Sequence, residues 1–166
     1  MRISTYTALG LFVAMSTVVP AQSVEAPAGQ HLVLTAEGRG VQIYRCDVKA
    51  DVAAWTFVAP EAGLYVQEEK IGTHGAGPVW MHHDGSTVHG KLVQSLTAPV
   101  AGAIPWLLLK ASETTGKGAF TPVAYIRRTD TKGGQADPAA CDKEHAGTVS
   151  RVPYTATYSF YSATAK

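Results

Sequence analysis

The chain has 166 residues, with 14 Lys and Arg against 13 Asp and Glu, and charged residues make up 16% of it. A balance this close to neutral lacks the basic footprint that a nucleic acid or an anionic membrane surface requires, so both partners are set aside. The charged fraction falls below the roughly 25% of an average globular protein, and with no asparagine the turns must rest on Gly, Asp, Pro and Ser.

The N-terminus comes first. Arg2 supplies a positive start, Ala8 to Val19 is an apolar run, and Val19-Pro20-Ala21 places small residues where a signal peptidase would cut. The run is about a dozen residues, short of the roughly 20 that a transmembrane helix needs. Residues 1–21 are therefore expected to be a signal peptide, and 22–166 a single soluble domain, secreted or periplasmic, with no membrane span. Loss of Arg2 would leave 13 basic residues against 13 acidic ones.

The elements that follow read as strands. Val41, Ile43 and Arg45 alternate with Gln42, Tyr44 and Cys46, and Trp55-Thr56-Phe57 is a second short run of β-formers. Trp80 to His89 is a hairpin around Asp84-Gly85. Trp106 to Leu109 is continuously apolar, as in a strand buried on both faces. Phe120 to Arg128 gives another, and at the end Tyr154, Ala156, Tyr158 and Phe160 share one face with Thr155, Thr157 and Ser159 on the other. Gly/Pro punctuation separates these runs, and no stretch of the mature chain has a long helical period. The expected fold is mostly β: a single-domain antiparallel β-sandwich or barrel, with short helical turns at Pro60–Gly63 and Pro138–His145.

Only two cysteines occur, Cys46 and Cys141. In an oxidising compartment they allow one intramolecular pairing, and a disulfide is the expectation.

The chemistry-bearing residues are sparse. The hairpin carries His82, His83 and His89. With Gly85-Ser86 as its loop, His82 would face His89 and the two could share an ion. With Asp84-Gly85 as its loop, which Asp-Gly favours, His82 faces Thr87 and His89 faces Trp80. Strand alternation would also send His82 and His83 to opposite faces, so no metal site is expected. Ser86 lies between Asp84 and His89, but neighbours on a turn do not make a triad. Glu68-Glu69 reads as a solvated edge. Arg127 and Arg128 could clamp an anion, but on a strand one points each way, so a salt bridge and a surface charge are expected. Of Trp55, Trp80 and Trp106, at least two are expected in the core. There is no GxSxG elbow, no HExxH helix and no GxGxxG turn, so no cofactor is expected.

Taken together, Gln42-Ile43-Tyr44-Arg45-Cys46, Trp55 to Pro60, Gly75 to Trp80, Asp84-Gly85-Ser86, Ile104 to Leu108, Tyr125 to Arg128, Thr131 to Gly134, Cys141 and Val152 to Ala156 resemble one family. It is the exported bacterial and fungal family known as DUF3455, and the resemblance spans nearly all of the mature chain. It implies that Cys46, Cys141, His74, Trp80 and Asp84 belong to a shared pattern, while His82, His83 and His89 depart from it. It implies no activity. Two classes of function follow as expectations: a non-catalytic binding or structural module for a small molecule, glycan or envelope protein, and, as the alternative, an enzyme or metal-binding protein with a site near His74, Trp80 and Asp84. A concave pocket that held His74, Asp84 and a tryptophan together would favour the alternative.

Overall fold

A computed structural model describes residues 23–163; the expected signal peptide lies outside them. Eight antiparallel strands run in chain order around one closed barrel: β1 His31–Lys49, β2 Val52–Val66, β3 Glu69–Gly75, β4 Val79–His82, β5 Thr87–Leu96, β6 Trp106–Thr115, β7 Val123–Gly133 and β8 Val149–Ser162. Closure comes from β8 pairing with β1 along most of its length, Val41 opposite Pro153 and Ala36 opposite Tyr158. It removes the two edges that an open sheet of this order would expose. The short helical turn at Pro138–Ala140 is a single 3-10 turn, capped by the Asp137 carboxylate.

Alternation decides which residues fill the barrel. On β8 the predicted face is the inner one: Tyr154, Ala156, Tyr158 and Phe160 are all buried. They pack with Leu64, Ile71, Trp80, Val88, Leu109 and Ile126 of the other strands. The interior is narrow, and Gly38 shows how narrow, because a Cβ there would run into the Tyr158 ring. The outer face carries ion pairs, among them Arg39–Glu37, Arg45–Asp47 and Arg151–Glu61, beside exposed apolar residues such as Leu92 and Val93, whereas the interior is apolar. A barrel that faces lipid has the reverse polarity, apolar outside. Among the described residues no helix is long and apolar enough to cross a membrane.

Three expectations need correction. Pro60–Gly63 is not a helical turn but the middle of β2, where Ala59 pairs with Ile43 and Phe57 with Tyr44, leaving Val58 as an extra residue. A proline just past such a bulge is tolerated, since the ladder is already interrupted there. Phe120 lies in the β6–β7 connection rather than on a strand, yet it is fully buried. Of the tryptophans only Trp80 is in the core; Trp55 and Trp106 are half-buried, and Trp55 donates its Nε1–H to the Asp137 carbonyl.

The antiparallel order gives the barrel two different ends. One carries the β1–β2, β3–β4, β5–β6 and β7–β8 connections, the other the β2–β3, β4–β5 and β6–β7 connections. Cys46 and Cys141 form a disulfide with Cα atoms 5.5 Å apart. It fastens the long 134–148 connection to β1 at the first end. There the Tyr44 hydroxyl also donates to the Gly134 carbonyl, and the Cys46 N–H to the Thr148 carbonyl.

Candidate functional site

The first end of the barrel is open, and His74 and Trp80 sit in its mouth. Ile71 and His74 both point inward despite their odd spacing, because the β2–β3 register skips a residue: Leu64 pairs with Gly72 but Tyr65 with Lys70. His74 is then the cross-strand partner of Trp80. Directly opposed side chains on one face come into contact. Here the two rings stack with centroids 4.4 Å apart and planes within 5°. Tyr158 meets both edge-on, at 5.2 and 5.8 Å.

The His74 Nδ1 lies 2.9 Å from the Val79 carbonyl. A carbonyl only accepts, so Nδ1 carries the proton of the neutral ring and Nε2 is left with a lone pair. Burial pushes the His74 pKa down to about 4, helped by the Arg128 charge and opposed by the Val79 hydrogen bond. The ring is neutral at physiological pH. No carboxylate holds Nδ1, so His74 lacks the partner that a catalytic base of the triad type uses.

Below the mouth lies a cavity of about 250 Å³, half enclosed, whose lining is mainly apolar: Leu107, Leu109, Ile104 and three prolines. Exposed Phe57 and Val58 form part of its rim. Three polar side chains enter this apolar setting. Arg128 on β7 is only 9% exposed; it gives Nε and one Nη to the Pro105 carbonyl, at 3.1 and 2.8 Å. Burial pushes the pKa of Tyr44, Tyr154 and Tyr158 up and that of His74 down, and the Arg128 charge pulls all four downward, which marks it as central to the mouth. Among the described residues no carboxylate lies within ion-pair distance of it. Gln42 on β1 is 2% exposed and its Nε2 completes no hydrogen bond of normal geometry, although its side chain comes close enough to the Tyr154 hydroxyl to act on it as a weak hydrogen bond. The Trp80 Nε1 is likewise buried and unpartnered.

Asp84 does not line this cavity. It sits at the opposite end, and it is fully engaged there. Its carboxylate accepts from the Ser86 N–H at 2.8 Å, the Ser86 hydroxyl at 2.6 Å and the Ala119 N–H at 2.8 Å, and pairs with His82 at 2.9 Å. These bonds, Ser86 first, hold it well below the usual carboxylate range. The Ser86 hydroxyl in turn accepts from the Phe120 N–H, and the Phe120 ring stacks on Phe160 at 4.5 Å. The group stoppers the barrel.

The hairpin itself follows neither expected register. Val79 pairs with His89 and Met81 with Thr87, and the His82 N–H donates to the Ser86 carbonyl, so the loop has three residues, His83-Asp84-Gly85. Gly85 takes φ +87°, a left-handed position that closes such a loop. The two Ser86-to-Asp84 bonds favour this longer loop over a two-residue Asp-Gly turn. His83 belongs to the loop rather than to the strand, so alternation does not separate it from His82, and their rings lie 4.4 Å apart. Among the described residues no group of three or more His, Cys, Asp or Glu is placed to share a metal ion.

The arginine pair divides as alternation requires. Arg127 points out and pairs with Glu25. Arg128 points in, not to the surface as expected, and beside it lies Gln42, a functional candidate that the sequence reading leaves out. The signal was present: Arg128 shares its phase with Ile126, and Gln42 with Cys46, each in a run otherwise destined for the core.

A family model described as a protein of unknown function (DUF3455) matches residues 27–162. No curated protein and no solved structure gives a match to the chain.

Proposed function

The chain belongs to the DUF3455 family of proteins of unknown function, and on that premise we propose that it is a non-catalytic binding module whose barrel mouth receives a small molecule. The observation that carries the reading is the apolar cavity of about 250 Å³ entered by buried polar groups. Ligand sites are concave, chiefly apolar and supplied with a few placed polar groups, and the mouths of β-barrels are a preferred location. The volume lies just under the usual ~300–1,000 Å³ range, so the ligand is compact. A larger glycan or an envelope protein fits this space less well.

An enzyme built on His74, Trp80 and Asp84 draws little support, since Asp84 is spent on the stopper and His74 has no acidic partner. The N-terminal pattern of residue types and the Cys46–Cys141 disulfide support an exported protein that works in an oxidising compartment.

The test is calorimetric titration of the mature protein with small aromatic and branched aliphatic compounds, beside a Leu107→Trp variant whose larger side chain fills the cavity. Saturable binding to the parent protein and none to the folded variant is expected. Absence of binding to the parent, or equal binding to both proteins, contradicts the reading.

A further inference from the structure

The unmet hydrogen-bonding capacity of the cavity is nearly all of one kind. Arg128 has five N–H donors in a fixed fork; it spends two on the Pro105 carbonyl and also reaches the Tyr158 hydroxyl, which leaves part of the fork unused. The Gln42 amide nitrogen and the Trp80 indole nitrogen complete no hydrogen bond of normal geometry, the Gln42 side chain only approaching the Tyr154 hydroxyl. Arg128, Gln42 and Trp80 line the same cavity. The acceptors beside them are few: the His74 Nε2 lone pair, and the hydroxyls of Tyr154 and Tyr158, which lie 3.1 Å apart with one donating to the other. A buried cation without a counter-charge is costly, and so is a buried donor left unpaired. Such a set favours whatever completes it.

We propose that the barrel mouth binds a small monocarboxylate with a compact apolar body, its carboxylate held by Arg128 and Gln42 and its body against Leu107, Leu109 and the stacked His74–Trp80 pair. The inference rests on the binding reading above and names the class of ligand for that site. A planar carboxylate offers two acceptor oxygens to a guanidinium and an amide. One negative charge matches one cation. A phosphate dianion would bring a second charge that nothing in the cavity balances, because His74 is neutral there. The apolar walls supply the remaining affinity and exclude water from the ion pair, which strengthens it.

The experiment compares each acid with its own amide, a near-isosteric and uncharged molecule. Phenylacetate and phenylacetamide, and 4-methylpentanoate and 4-methylpentanamide, are titrated into the mature protein at pH 7.5 by calorimetry. Hydrogen bonds to charged groups contribute about 1.5–3 kcal/mol, so at least one acid should bind about ten- to a hundredfold more tightly than its amide. Arg128→Gln should erase that preference. Should Arg128→Gln fail to fold, Gln42→Leu replaces it; this variant removes an unpartnered buried amide, should fold, and should weaken the acid several-fold more than the amide. Equal binding of acid and amide, both blocked by Leu107→Trp, overturns the carboxylate inference and leaves the cavity reading intact. No binding of any of the four compounds to the parent protein overturns both. An acid preference that survives both Arg128→Gln and Gln42→Leu places the anion elsewhere and overturns the assignment.

Discussion

The two ends of the barrel are built from similar residues and finished differently. At the stopper, Asp84, Ser86 and His82 look in the sequence like chemistry, yet each is absorbed by its neighbours: the carboxylate by Ser86 and Ala119, the hydroxyl by Phe120, the imidazole by Asp84. At the mouth, Arg128, Gln42 and Trp80 lie among apolar side chains with donors unspent. The difference separates structure from function. A polar cluster that satisfies itself holds the fold, whereas one that is buried and incomplete is a candidate for something that completes it.

The most severe way to break the comparison is to remove what both ends share. Truncation before Pro153 deletes Tyr158 from the mouth and Phe160 from the stopper, and it opens the barrel between β1 and β7. The loss should equal the whole stability of a domain, about 5–15 kcal/mol. A truncated protein that still melts cooperatively near the full-length temperature would refute the closure. Reducing the disulfide should act on the mouth alone. The chain-entropy model gives at most about 4–5 kcal/mol for a loop of this length. Amide exchange should quicken first in residues 134–148, while the amides of Ser86, Ala119 and Phe120 stay protected. Loss of protection at the stopper before the mouth loop would contradict the division.

Acid should also separate the ends. Folded His74 titrates near 4, and in the unfolded chain it returns to 6.5. Between those values the unfolded state binds the extra proton, so stability is complete above pH 6.5 and has fallen by about 3 kcal/mol at pH 4. The carboxylates act later. Asp47, held at about 2 by Arg45, and Asp84, held lower still, contribute stability that is lost only as pH falls below about 3.8. Urea unfolding from pH 7 to 4.5 should therefore show a slope that His74→Gln flattens. An unchanged slope in that variant would mean that the ring is not buried as a neutral base. The smallest effect is the most diagnostic. Gln42→Leu should raise stability by about 1 kcal/mol in ligand-free protein, because it removes an unpaired amide. A clear loss of stability would show that the amide is already satisfied.

Much of the barrel was legible because period 2 is a strong signal wherever one face is packed, as on β8. The Cys46–Cys141 pair was legible from residue count alone. What escaped depended on register. The hairpin loop shifted by one residue because Asp84 bonds Ser86 on the strand side of the turn, a contact that the Asp-Gly preference does not encode. Ile71 and His74 share a face only because of a bulge, and Pro60 reads as a turn until its bulge is known. Within the candidate site, His74 and Trp80 were singled out through the family resemblance. An anion clamp of Arg127 with Arg128 is discounted in the sequence because the two alternate on a strand and such arginines are ordinarily solvated or paired; only closure of the barrel puts Arg128 inside.

The central claim is that the mouth, and not the hairpin, is the ligand site. Titrating phenylacetate into isotopically labelled mature protein while following the Trp80 indole, the Gln42 side-chain amide and the Arg128 Nε–H by NMR tests it most directly. Saturable shifts at those three groups, with the amides of Asp84, Ser86 and Phe120 unmoved, are the predicted result. Shifts centred on the His82–Ser86 loop, or none at the mouth at saturating phenylacetate, would contradict it.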